Sequence, residues 1–439
     1  MDKSEGEKVT YIGTTNYQST KIKFGIKQKD RSAHIYCIGK TGNGKSTLLL
    51  NMAITDIQNG SGVGIIDPHG DIAESILEYI PEERIKDVIY FNGCDLEYPI
   101  AFNPLLNVQE NDRHLVASSL VSALKKSWAD SWGPRLEHIL RNSLLTLLHY
   151  PEASLLDIQP LLTNSDFRNK VLEYVSDIKL LNFWYKEFYP MPPQLKAEAI
   201  SPIVNKVGLF QTHPLIRNIV SQQISSFSIA DIMNQKKIFI ANLSKGALGE
   251  DGTQLIGTLL VTQFQTASLS RVHLPINERH PFHLYIDEMH SFLTLSFADI
   301  LSESRKYGLT LFLTHQYIDQ LHEKIRKAIL GNVGTLIAFR LGASDAAILE
   351  QEFLPVFTSE DLVGLPRYSI YIKLLIDGTT SQPFSATTLP PQTATNLLKE
   401  KVIEHSCRKY GRERVMVEKG MLNRYERPVD DGKTLGLFD

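Results

Sequence analysis

A chain of 439 residues with 43% hydrophobic and 22% charged residues exceeds one minimal domain and has the ordinary composition of a globular protein with a real core. Its formal net charge of −3 excludes a broad basic footprint, so any contact with nucleic acid has to come through a few local loops. Cys37, Cys94 and Cys407 are far apart, odd in number and without a CxxC pair, which argues against a disulfide framework or a zinc site and fits a reducing compartment.

The first eight residues are polar and lack the apolar centre of a signal peptide. No apolar run approaches the roughly 18 residues of a membrane span, so the expectation is a cytoplasmic chain with no integral membrane segment. Residues 1–30 carry short strand-like runs broken by glycines and read as a strand-rich edge element. From His34 onward, apolar strands alternate with helical segments. Strands are predicted over 34–38, 62–66, 87–91, 237–243, 283–286, 309–314, 335–341 and 368–376, and helices over 45–58, 71–79 and 251–270. Several strands are near-continuous apolar runs, the pattern of strands buried on both faces of a parallel sheet. The βαβα order implies an α/β fold with a mostly parallel sheet.

Residues 106–225 break that alternation. Their period is helical and their charges nearly cancel, 12 Lys/Arg against 11 Asp/Glu, so they read as an all-helical insertion. The α/β domain then comprises 31–105 and 226–390, and a charged, helix-bearing tail follows over 391–439.

Gly39-Lys-Thr-Gly-Asn-Gly-Lys-Ser46 fills the pattern GxxxxGK[ST] between a strand and a helix. Such glycines let backbone N–H groups face a phosphate, and the helix N-terminus adds its dipole. Lys45 is expected to reach the β- and γ-phosphates, and Ser46 to hold Mg²⁺, with Gly39, Lys40, Thr41, Gly42, Asn43, Gly44 and Thr47 completing the nucleotide cradle. A magnesium carboxylate belongs at the end of another strand. Asp287 is the candidate ligand, and the adjacent Glu288 the candidate base for the attacking water. Asp67, beside a proline and without a second acid, either lines the site or is only a turn residue. Gln316 closes a third strand, as a sensor of the γ-phosphate or as a plain strand-terminal amide. His69, His290 and His315 have no metal-ligand spacing and read as polar lining of the cleft.

The loop is not that of a GTPase, because Asn205-Lys206 has Gly208, and Asn169-Lys170 has Leu172, where a guanine-reading aspartate belongs. It is not that of an ABC ATPase, for which Leu243-Ser-Lys-Gly246 is a poor signature. About 240 residues between Lys45 and Asp287 exceed the size of a small-molecule kinase.

The blocks 39–47, Asp67-Pro-His-Gly-Asp71, Tyr285-Ile-Asp-Glu-Met-His290 and Ser302-Glu-Ser-Arg-Lys-Tyr-Gly-Leu309, leading to His315-Gln316, together resemble the HerA–FtsK superfamily of ring-forming P-loop motors. Within it the chain is most similar to the type IV secretion coupling proteins of the TraG/TraD-like branch. The resemblance covers about residues 30–390. It implies a RecA-like P-loop fold, ATP and Mg²⁺ as cofactors, a hexameric ring and DNA moved through its channel, as in conjugation or DNA processing. It also implies a relaxase, nuclease or secretion-channel partner. Arg305, eleven residues before Gln316, matches the family's arginine finger delivered to the neighbouring subunit. The alternative reading is a surface arginine paired with Glu303, and Arg340 is the second candidate for a finger. Coupling proteins usually begin with transmembrane helices that this sequence lacks, so recruitment to a membrane-bound channel is the expected form of any membrane contact. A secretion ATPase driving protein or pilus subunits, and a slowly hydrolysing nucleotide-gated scaffold, are the competing functions.

Overall fold

Strands that are apolar on both faces have to be covered on both sides, and in the computed structural model they form the middle of one eleven-stranded sheet. Residues 8–16, 21–106, 108–129, 132–394 and 398–425 are described. The strands in chain order are β1 (Val9–Thr15), β2 (Lys23–Lys27), β3 (Ile35–Ile38), β4 (Gly62–Asp67), β5 (Val88–Asn92), β6 (Ile238–Asn242), β7 (Phe282–Ile286), β8 (Leu309–His315), β9 (Thr335–Ala338), β10 (Ser369–Lys373), β11 (Leu375–Ile376), β12 (Thr379–Thr380) and β13 (Phe384–Thr388). The sheet order is β2-β1-β13-β10-β9-β3-β8-β7-β4-β6-β5. From β9 to β5 all neighbours are parallel, whereas β10, β13, β1 and β2 extend the sheet antiparallel. Every residue of β3, β4, β6, β7, β8 and β9 is buried.

Alternate residues of these strands feed two cores. Ile35, Cys37, Val63, Ile65 and Phe312 pack with the helix Lys45–Gln58 on one face. Tyr36, Ile38, Ile66, Leu284 and Leu313 share the other with the helix Lys245–Ser270 and the helices of 113–220. Between β5 and β6 the described residues form helices and no strand, from Arg113–Ser127 to Ile229–Asn234.

Several expected boundaries shift. The 71–79 segment is an α-helix over Asp71–Ser75 that tightens to 3₁₀ over Ile76–Tyr79. The helix expected at 251 begins at Lys245, with a break at Gly249 (φ 69°). The run 368–376 divides into β10 and a β11–β12 hairpin, turned by Asp377 and Gly378 with φ of 50° and 80°. Strand β13 was not anticipated, and it is what ties β1 and β2 to the main sheet. The C-terminal helices Lys399–Tyr410 and Arg414–Tyr425 dock rather than trail. Ser406 Oγ accepts the Tyr90 N–H at 2.8 Å, so a helix covers the β5 edge that another chain could otherwise extend.

Asp56 on the Lys45–Gln58 helix is fully buried and joins three elements. It accepts from Arg31 Nη2 at 2.8 Å, Tyr285 OH at 2.6 Å and Thr10 Oγ1 at 2.6 Å. Burial pushes its carboxyl up, but Arg31, His283 and these hydrogen bonds outweigh that and hold its pKa below the usual value. Asp56→Ala strands the buried Arg31 charge and is expected to cost about 3–5 kcal/mol in urea unfolding, part of it recovered by adding Arg31→Met.

Candidate active site

All the parallel strands present their C-terminal ends to one edge, where ligands of open α/β sheets bind. The chain leaves β3 there and coils through residues 39–44 into the Lys45–Gln58 helix. Gly42 (φ 77°) and Gly44 (φ 113°) take left-handed conformations that a side chain would strain. The loop is strung between two strand ends, with Gly39 N–H donating to His315 O at 3.2 Å and Lys40 N–H to Arg340 O at 3.0 Å. Lys45 Nζ donates to Gly39 O at 2.6 Å and Lys40 O at 3.2 Å, so the ammonium lies inside the loop. The Asn43 amide donates to Lys40 O at 3.0 Å, while Ser46 is exposed on the first helical turn beside Thr47.

Asp287 and Glu288 follow β7 directly, both buried, and Glu288 is in the left-handed region at φ 45°. Thr314 stitches them together. Its hydroxyl donates to Asp287 Oδ1 and accepts the Glu288 N–H at 3.2 Å. Gln316 Nε2 donates to Glu288 Oε1 at 2.5 Å, and Gln316 Oε1 accepts from Thr41 Oγ1 at 2.9 Å. An unbroken chain thus runs from the phosphate loop through Gln316 to Glu288. Glu288 Oε2 has no hydrogen-bond partner and lies 3.5 Å from His290 Nδ1. The His290 and His315 rings are 5.2 Å apart, and among the described residues no three His, Cys, Asp or Glu side chains form a metal cage.

Asp67, on the strand next to β7, lies near enough for its charge to be felt by Asp287. Its carboxylate accepts the N–H groups of His69, Ile72 and Ala73 at 2.8, 2.9 and 3.0 Å, closing the turn after β4. Arg305 is not brought to its own loop. It is exposed on the 3₁₀ turn Ser304–Tyr307, where its charge is felt by His34 at the opposite end of β3. Four residues of strand put it roughly 13 Å or more from the loop it would serve in its own subunit. Arg340, by contrast, lies beside Lys40.

Two residues escaped the sequence reading. Thr314 had a signal, a hydroxyl near the end of an otherwise apolar buried strand. Lys126 had none. It comes from the Arg113–Ser127 helix, donates to His290 O at 2.7 Å, and burial pulls its pKa down to about 8.

The oxygens of Asp287 and Ser46 are hard donors of the kind Mg²⁺ selects. Burial pushes the Asp287 carboxyl up to about 6, the Thr314 bond opposes this, and the Glu288 and Asp67 charges add to it. A buried acid among acids fits a cation. Because the folded carboxyl keeps its proton to about pH 6 while the unfolded one releases it near 3.8, stability from this group falls as pH rises through that window. Asp287→Asn is therefore expected to stabilise the metal-free protein at pH 7 by on the order of 3 kcal/mol in urea with EDTA. The same change should abolish stabilisation by Mg²⁺ and nucleotide together.

The profile of the type IV secretion-system coupling protein DNA-binding domain matches residues 17–355. No curated protein sequence matches the chain. Among solved structures, the chain is similar to the plasmid coupling protein TrwB in complex with the non-hydrolysable GTP analogue GDPNP, at TM-score 0.63 and 15% identity over 90% of this chain and 92% of that one. TrwB in complex with ADP and Mg²⁺ gives 0.62 and 16% over the same shares. VirB4 of Thermoanaerobacter pseudethanolicus gives 0.55 and 16%, over 88% and 97%. These likenesses are of fold. The family match spans most of the sequence, and the chain belongs to the type IV secretion-system coupling protein DNA-binding domain family.

Proposed function

We infer that this chain is an ATP-driven motor that moves DNA through the channel of a ring of its own copies. The observation that carries the reading is the Thr41–Gln316–Glu288 chain inside a coupling-protein fold, since it links the phosphate loop to a buried acid with one free oxygen. Lys45 turns from Gly39 O to the β- and γ-phosphates, and Ser46 and Asp287 hold Mg²⁺. Bound Mg²⁺ neutralises charge between those phosphates. Glu288 Oε2 takes a proton from the attacking water, and Gln316 senses whether the γ-phosphate is present. TrwB has been seen with ADP and Mg²⁺ and with an ATP analogue, which supports the same ligands here. Arg305, far from its own loop, is available to a neighbour's, which a closed ring of head-to-tail contacts supplies. No described helix is long and apolar enough to cross a membrane.

The test is ATP turnover with and without single- and double-stranded DNA at two salt concentrations. Stimulation by DNA that weakens with salt is expected, and Lys45→Ala should remove turnover while leaving the circular dichroism spectrum unchanged. Turnover raised by protein cargo and not by DNA would transfer the reading to a protein-secreting ATPase.

A further inference from the structure

The phosphate loop has two flanks, and the catalytic groups occupy only one. Asp287, Glu288 and Gln316 stand at the ends of β7 and β8. A nucleotide with its terminal phosphate on that side would carry its nucleoside end toward β9 and β10. Tyr368 stands there, immediately before β10. Its N–H donates to Asn43 O of the loop at 3.1 Å, and its carbonyl accepts the N–H and hydroxyl of Thr388 at 2.9 and 3.2 Å. Its ring covers the last loop glycine. A Cβ added to Gly44 would lie 2.9 Å from Tyr368 Cδ1.

Tyr368 is the third residue of the turn Pro366–Ser369, closed by Ser369 N–H donating to Pro366 O at 3.3 Å, and that position accounts for its φ of 64°. The residue remains 50% exposed. The turn thus sets a half-exposed aromatic ring against Gly44, the residue before the helix Lys45–Gln58, on the flank of the loop away from Asp287 and Glu288.

We propose that Tyr368 is the platform on which the purine base of the bound nucleotide stacks. The proposal rests on the nucleotide reading of the phosphate loop and adds the subsite that distinguishes a nucleoside triphosphate from bare phosphate. Stacking depends on ring area more than on hydrogen-bonding edges, so it favours purines over pyrimidines and separates adenine from guanine weakly.

The experiment is equilibrium binding of ATP, CTP and inorganic tripolyphosphate, each with Mg²⁺, to the full chain and three variants. Tyr368→Asn removes the ring but suits the left-handed backbone, whereas Tyr368→Phe and Tyr368→Trp keep an aromatic face. Tyr368→Asn should weaken ATP about tenfold, leave tripolyphosphate unchanged and erase the preference for ATP over CTP. Phe and Trp should restore both. Equal losses for ATP and tripolyphosphate would show that the ring only supports the loop and overturn the proposal, as would unchanged ATP binding in Tyr368→Asn. Wild-type protein that binds neither ligand would instead overturn the nucleotide reading itself.

Discussion

Glu288→Gln is expected to bind ATP and Mg²⁺ normally and to lose turnover by about 10²–10⁴-fold. The reason is local. Glu288 is buried, its Oε1 is occupied by Gln316 at 2.5 Å, and its Oε2 is the oxygen left to accept a proton. Glutamine has the same size and can still accept the Gln316 bond, so the link to Thr41 survives while the basic lone pair becomes an amide. Asp287, held by Thr314, remains to bind the metal. Single-turnover hydrolysis, together with retention of labelled ATP on the purified assembly, measures the effect. Asp67→Asn is the control, because three backbone N–H groups already occupy that carboxylate. If Asp67→Asn traps ATP and Glu288→Gln does not, the catalytic acid has been assigned to the wrong strand.

Arg305→Ala is expected to lower turnover by on the order of 10³-fold while each chain still binds nucleotide. An arginine near the γ-phosphate stabilises the charge that develops in the transition state. This one sits by His34, at the far end of β3 from its own loop, so the proposed role is on a neighbour's loop. Specific activity should therefore rise with protein concentration and with DNA that gathers the subunits. Mixing Arg305→Ala with Glu288→Gln supplies the sharper measurement. In mixed rings some sites pair an intact Glu288 with a neighbour's intact Arg305, so activity should partly return. Verified mixed rings that stay inactive would remove Arg305 from this role and turn attention to Arg340, which lies beside Lys40.

What the sequence determined by itself was whatever local pattern encodes. Runs such as Leu309–His315 are apolar at every position but the threonines and the last residue, and only a sheet covered on both faces can bury them. The loop at 39–46 declares itself because close approach of backbone to phosphate needs glycine at particular places, and two of those glycines are indeed left-handed. Asp287, Glu288 and Gln316 were legible as polar residues ending buried strands. Asp67 looked the same, and its sequence could not say that His69, Ile72 and Ala73 would turn back to occupy it.

Only the tertiary structure decided which strand ends become neighbours. Strand order places β8 between β3 and β7, and that adjacency, invisible to periodicity, is why Gln316 spans Thr41 and Glu288. The pairing of β1 with β13 likewise joins segments more than 350 positions apart, Thr14 beside Thr387, through backbone bonds that carry no side-chain signature. Lys126 reaches His290 from the helices between β5 and β6, and Tyr368 reaches Gly44 from beyond β9. Each is an ordinary residue in an unremarkable stretch, and its place follows from long-range packing, which fixes distances that no local pattern contains.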